Sequence, residues 1–249
     1  MEARKEREMK RLLFYCSIIL FLVTISQHVF PQPTAVSYSN ASTTEKYYGK
    51  TLCSYPQFLC IKVRSTDSWH VLFPNPRDRS LVMRLNRMNT AVTNRPWIAI
   101  PKDLTVINYL QLSPFPLHKD TNGQKLIIIN LTKQAFGAYD PNGNLIHWGP
   151  VSGGKGYCPD VHRKCTTVTG SFRIESKKGS DCISSKYPVE TRGGAKMPYC
   201  MFFYKGYALH GSSLPGYNAS HGCIRLFNED AQWLNLNFAN VGTRVLVTN

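Results

Sequence analysis

Cys223 stands in the run Ser220-His221-Gly222-Cys223-Ile224-Arg225-Leu226, and His210-Gly211 lies a short way upstream. A thiolate is a strong nucleophile, but an ordinary thiol with a pKa of about 8.5 is mostly protonated at neutral pH. A histidine within reach can take that proton and later return it to a leaving amine. His210 and His221 both qualify, and distance along the chain favours neither. Gly222 permits an open turn whose backbone N–H groups could hold the oxyanion of a tetrahedral intermediate. The same residues can also be read as a small buried cysteine with ordinary histidines, or as zinc ligands through His210, His221 and Cys223. No fourth ligand stands out, so the expectation is a thiol enzyme with no metal and no cofactor.

The cysteine count singles out the same residue. Of the eight cysteines, Cys16 lies in an N-terminal apolar run, which leaves an odd number in the remainder. Six of these fall into local pairs, Cys53/Cys60, Cys158/Cys165 and Cys182/Cys200. Six cysteines permit about 15 connectivities, and the local one is expected, with Cys223 left as the free thiol. Arg4, Lys5, Arg7, Lys10 and Arg11 precede an apolar run from Leu12 to Ile25, shorter than the roughly 18 residues of a full span. Residues 1–37 therefore read as a secretory signal or a membrane anchor, the only membrane contact expected. The remainder is expected in the periplasm or cell envelope. The net charge of +15 suits an anionic partner such as an envelope polymer. With no nucleic-acid motif and no long basic helix, nucleic acid is not expected as a partner.

The elements that must position these residues read as mainly β. Residues 38–52 are a Ser-, Thr-, Pro- and Tyr-rich linker, and residues 53–112 a small α+β module. In that module Asp78-Arg79-Ser80 precede Leu81, Val82, Leu85 and Met88, spaced as one face of a short helix with Arg79 and Arg87 off it. Trp97-Ile98-Ala99-Ile100 reads as a strand. After a Pro-rich joint at residues 113–116, short strands are expected at Leu126–Ile129, Ala135–Tyr139 and Leu145–Trp148, the last after the turn Asp140-Pro141-Asn142-Gly143. One helix is expected near the end, with Asn228 as N-cap and Glu229 and Asp230 in its first turn. Thr243–Val247 closes the chain as a strand.

The pattern His210-Gly211 … Ser220-His221-Gly222-Cys223-Ile224-Arg225 resembles the YkuD-type L,D-transpeptidases. Thr169-Gly170-Ser171-Phe172-Arg173-Ile174 is similar to that family's Gly-x-Phe strand, although Val168-Thr169 stands where Thr-Pro is usual. Val151-Ser152-Gly153-Gly154 is similar to another of its stretches. The resemblance implies a β-sandwich catalytic domain over residues 120–249 that acts on peptidoglycan stem tetrapeptides. In it Cys223 attacks the carbonyl before the terminal D-alanine, releases D-alanine and passes the acyl group to an amine, giving a 3→3 crosslink or another attachment. His210 corresponds to the base, and the Gly206 carbonyl to the group that orients it. Ser220, His221 and Gly222 correspond to the turn that shapes the oxyanion hole. Arg225 corresponds to a substrate-facing position, with a structural salt bridge as its alternative, and Gly211 and Tyr207 to positions beside the cleft, where core packing is the readier role for Tyr207 and Trp148. Carbapenems are expected to acylate Cys223, as they do the family's cysteine. The pairs 158/165 and 182/200 are not general to the family and read as staples on loops bordering the cleft. Residues 53–112 resemble a divergent LysM glycan-binding module. Two alternatives stay open: an L,D-carboxypeptidase using the same thiol, and an inactive peptidoglycan-binding protein.

Overall fold

The computed structural model describes residues 47–105 and 108–249. The expected signal or anchor, and the linker up to residue 46, lie outside the described residues. No helix among the described residues is long and apolar enough to cross a membrane. The linker expected to reach residue 52 gives way earlier. A helical turn forms at Tyr48–Thr51, and Tyr48 and Leu52 are buried in the core.

The α+β segment is a β-α-α-β unit. Strand β1 (Phe58–Lys62) pairs antiparallel with β2 (Trp97–Pro101), with helices Trp69–Leu72 and Pro76–Leu85 between them. Each helix starts on a side-chain cap: Ser68 Oγ accepts from Val71 N–H, and Asn75 Oδ1 from Arg77 and Asp78 N–H. With Pro76 in the first turn, where its missing N–H costs nothing, the second helix begins earlier than the Asp78 expected. It also stops at Leu85, because Arg87 takes a left-handed φ of 58°. Arg87 therefore leaves the helical period and, contrary to expectation, is only 1% exposed. Its guanidinium lies over the rings of Tyr48 and Trp148 and donates to the Arg84 and Lys133 carbonyls.

The larger part is one nine-stranded sheet folded on itself. Its strands are β3 (Leu126–Asn130), β4 (Ala135–Tyr139), β5 (Leu145–Ser152), β8 (Gly170–Arg173), β9 (Ser176–Lys177), β10 (Met201–Tyr204), β11 (Tyr207–Gly211), β12 (Ile224–Leu226) and β13 (Arg244–Thr248), in the order 8-13-3-4-5-12-11-10-9. A separate hairpin, β6 (Gly156–Cys158) with β7 (Arg163–Cys165), stands beside it. The long strand β5 pairs with β4 at one end and with β12 at the other, so the two halves share it and enclose one core. Ile127, Ile129 and Phe136 from one half meet Phe203, Leu209 and Ile224 from the other. The mainly β sandwich expected is present, made from one doubled sheet.

The β-α-α-β unit packs into the opposite face: Leu81 and Leu85 share a core with Leu126, Tyr139 and Trp148. Trp148 is wholly buried there and donates from Nε1 to the Tyr109 carbonyl at 2.7 Å, so it is a core residue. A buried ion pair fastens the same junction. Arg84 donates from both guanidinium ends to Asp230, at 2.7 and 2.8 Å, and His147 Nε2 lies 2.8 Å from the same carboxylate. Asp230 belongs to the helix Asn228–Trp233, which runs on as a π-helical turn, Leu234–Phe238. The N-cap of that helix is Phe227, without a side-chain cap bond, not Asn228. The Asn228 amide is instead packed against Gly211, where an added Cβ would come within 2.5 Å of its oxygen.

All three expected disulfides are present, Cys53–Cys60, Cys158–Cys165 and Cys182–Cys200, and Cys223 is free. Iodoacetamide without reductant is therefore expected to label Cys223 alone among residues 47–249, with peptides 158/165 and 182/200 recovered linked by mass spectrometry. Recovery of Cys223 in a disulfide would contradict this arrangement. Opening the longest of the three loops, with Cys182 and Cys200 both replaced by Ser, is expected to cost about 3 kcal/mol.

Candidate active site

Strands β11 and β12 run parallel with Leu209 opposite Ile224, His210 opposite Arg225 and Gly211 opposite Leu226. Side chains two apart on a strand share a face. Leu209, Ile224 and Leu226 point into the core. Ala208 and Cys223 pack on the other side against the Cys182–Cys200 disulfide, the side to which His210 and Arg225 also belong. The sheet thus gathers thiol, imidazole and guanidinium on one face. Tyr207 alternates to the core side, where it packs against the sandwich interior and beneath Gly222, whose added Cβ would meet its ring at 2.8 Å.

His210 is 6% exposed. Burial lowers its pKa to about 4, partly opposed by a bond to the Gly211 carbonyl and assisted by the Arg225 charge. Its Nδ1 lies 3.0 Å from Gly211 O. With the Nδ1 proton donated there, Nε2 is the open acceptor and the ring is neutral through the physiological range. The expected role of Gly206 needs correction, because its carbonyl does not orient this ring. Gly206 lies in the β10–β11 turn beside the thiol and accepts from Cys223 Sγ at 3.8 Å. His210 is further along the strand, within reach of its own neighbour's carbonyl.

Burial pushes the Cys223 thiol up, against the pull of the Ala208 N–H and the Arg225 charge. The resting pair is therefore a protonated thiol and a neutral imidazole. Arg225 is half-buried, and burial lowers its pKa, while Cys223 and Tyr217 are the groups that favour its charge. Among the described residues no carboxylate is paired with it.

The turn before Cys223 is braced by the segments that follow β5 and β7. Ser220 N–H donates to Gly153 O, Lys155 N–H to Ser220 O, and Thr167 Oγ1 to Gly222 O. Ser220 Oγ donates to the Cys223 carbonyl and accepts from Gly222 N–H at 3.0 Å. Gly222 has φ 127°, a conformation that glycine adopts without a Cβ penalty. His221 bonds Asp160, its Nε2 lying 2.5 Å from Oδ2. Asp160 was not picked out in the sequence, since nothing local marks an acid 61 residues from its partner.

Cys158, Asp160 and His221 are the one group of potential metal ligands that converges among the described residues. The sulfur of Cys158 is committed to Cys165, which leaves two donors, one exposed. His210, His221 and Cys223 do not converge as a ligand set. A separate open cleft lined by Arg77, Arg84, Tyr109 and His147 overlies the Arg84–Asp230 junction, where Arg84 and His147 are bonded to Asp230.

Residues 124–247 match the YkuD family model, the L,D-transpeptidase catalytic domain. That part of the chain belongs to this family. A curated relative, the "Probable L,D-transpeptidase ErfK/SrfK" of Escherichia coli (strain K12), is 28% identical over 140 residues, which is 50% of this chain and 44% of that protein. The chain thus spans less than half the length of that relative. The solved L,D-transpeptidase (residues 123-326) from Xylanimonas cellulosilytica DSM 15894 aligns at 24% identity and a TM-score of 0.49, covering 69% of this chain and 79% of that one. An L,D-transpeptidase from Mycobacterium tuberculosis H37Rv aligns at 24% identity and a TM-score of 0.40, covering 50% and 57%.

Proposed function

We propose that the chain is a cysteine-dependent L,D-transpeptidase of peptidoglycan stem tetrapeptides. The observation that carries this reading is the shared sheet face of Cys223, His210 and Arg225, with no carboxylate paired to that guanidinium among the described residues. Arg225 pairs with a carboxylate of the donor stem, bidentately where geometry allows. As Cys223 Sγ attacks the carbonyl between the third residue and the terminal D-alanine, its proton passes to His210 Nε2. The tetrahedral oxyanion is held by backbone N–H groups of the Gly222–Cys223 turn, where the Ser220 hydroxyl now occupies the Gly222 donor. Collapse breaks the amide bond, and the His210 proton leaves with the D-alanine amine. An acceptor amine then attacks the thioester and gives its proton to His210, which returns it to the departing thiolate. Water in place of the amine yields trimming by the same thiol.

Two features support export and wall binding. Three disulfides suit an oxidising compartment, and the β-α-α-β order of the first segment suits a LysM-like glycan-binding module.

The test is muropeptide mass analysis of purified peptidoglycan treated with the protein or with Cys223→Ala. Loss of D-alanine and new 3→3 dimers are expected from the former only. D-alanine loss without dimers would make the chain a carboxypeptidase, and no change with either would leave a binding protein. Within this reading, His210→Ala is expected to slow carbapenem acylation of Cys223 by on the order of 10²- to 10⁴-fold, the usual worth of a general base. His221→Ala is expected to cost about tenfold, because its ring is engaged by Asp160. Intact-mass kinetics rank the two, and the reverse order would transfer the base role to His221.

A further inference from the structure

The two loops closed by disulfides meet over the histidine that the proton transfers leave idle. Asp160 lies in the 3-10 turn Pro159–Val161 at the tip of the β6–β7 hairpin, directly after Cys158. Its carboxylate takes the edge of the His221 ring at 2.5 Å. Tyr187, from the loop closed by Cys182–Cys200, covers the ring face at 4.5 Å between centroids and 33° between planes. Arg163 of the hairpin donates to the Tyr187 hydroxyl, which joins the two loops directly. Lys155 Nζ lies 3.5 Å from the other Asp160 oxygen.

His221 precedes the two residues whose N–H groups must point at the oxyanion. Residues just beyond β5 hold the Ser220 end of this turn, and Thr167, just beyond β7, holds the Gly222 carbonyl. Gly222 itself, at φ 127°, restrains the backbone less than any other residue. The His221 side chain is what the hairpin tip and the 182–200 loop hold. Donors stabilise an oxyanion only when they are fixed in advance, since a donor that must reorient gives back its advantage.

We propose that Asp160, with Tyr187 behind it, is a positioning residue for acyl transfer: it clamps His221, and through His221 sets the Ser220–Cys223 turn as an oxyanion site. The proposal rests on the thioester reading above. It also assigns a purpose to the Cys158–Cys165 bond, which closes the hairpin that presents Asp160.

Two reactions of the same thiol separate positioning from thiol activation. Acylation by a carbapenem passes through an oxyanion. Alkylation by iodoacetamide forms an S–C bond at a saturated carbon, releases iodide and needs no oxyanion site. Both rates are to be measured by intact mass on the oxidised full chain, across pH, for the wild type, Asp160→Asn, Asp160→Glu and a Cys158→Ser/Cys165→Ser double variant. Asp160→Asn is expected to slow acylation about tenfold while the alkylation rate and its pH profile stay unchanged. Asp160→Glu should restore part of the loss. The double-serine variant should reproduce the selective loss, and adding Asp160→Asn to it should cost nothing further. Unchanged acylation in Asp160→Asn, or an equal fall in both reactions, overturns the proposal. A wild-type Cys223 that alkylates but takes no carbapenem removes the thioester reading and this proposal with it. Normal wild-type acylation that is indifferent to Asp160 removes the proposal alone.

Discussion

On the proposed function, Cys223→Ser is expected to fold as the wild type does, to take no carbapenem adduct and to lose transpeptidation by on the order of 10⁴-fold or more, the scale of nucleophile removal in acyl-transfer enzymes. The structure gives two reasons for so large an effect. His210, with a pKa lowered to about 4 by burial, is a weak base. A thiol gives up its proton far more readily than a serine hydroxyl, so a base this weak can assist the first and not the second. Arg225 favours negative charge at the same sulfur, and only a group that becomes anionic during attack profits from it. Fold stability should hardly change, since Cys223 is partly exposed and only flanks the small cluster around Cys182 and Cys200. Intact-mass spectrometry after carbapenem treatment reads the adduct, and thermal unfolding confirms the fold. A persistent adduct in the serine variant would assign the nucleophile elsewhere.

Asp230→Ala is expected to be the most damaging single change to stability. It leaves Arg84, whose side chain is 9% exposed, without the carboxylate it grips from both ends, and takes from His147 its bond to the same carboxylate. Removing one partner of a buried ion pair costs about 3–5 kcal/mol. In a chain of this size that lowers Tm by about 10 °C. Acid should act on the same pair. Burial alone would raise the Asp230 carboxyl, but the Arg84 guanidinium and the His147 ring outweigh it and hold the pKa below the usual value. A carboxylate with a depressed folded pKa contributes stability above its unfolded value of about 3.9, and that contribution is lost as pH falls through the folded value. His210 acts at milder acidity. With a folded pKa of about 4 against about 6.5 unfolded, the unfolded chain binds more protons between these values, so stability declines as pH drops across that window. Thermal unfolding against pH is therefore expected to fall in two stages. His210→Gln should flatten the first and Asp230→Asn the second. An unchanged acid limb in Asp230→Asn would contradict the account of the pair.

Much of the candidate site's framework was legible because its signals are local. Cys223 declares itself by being the cysteine left over once near neighbours pair, and the pairs 53/60, 158/165 and 182/200 form as proximity along the chain suggests. Runs such as Leu126–Asn130 and Arg244–Thr248 carry the burial of their strands in their own composition. What distinguishes His210 from His221 is not local: the β11–β12 register sets His210 on the thiol's face of the sheet, and a carboxylate engages His221 from 61 residues away. Gly206 was given the wrong role for the same reason, since which group a turn carbonyl meets depends on the strands on either side of it. Charged residues were the hardest to place. Arg87 looked solvent-facing on a helical period that in fact ends two residues earlier, and Asp230 looked like an ordinary first-turn acid. Both are buried because remote groups compensate them, Tyr48 and Trp148 for one and Arg84 for the other. Hydrophobic pattern reports the free energy of taking a side chain out of water, which each residue carries with it. Burying a charge depends on a partner, and the partner is brought near only when the chain has folded.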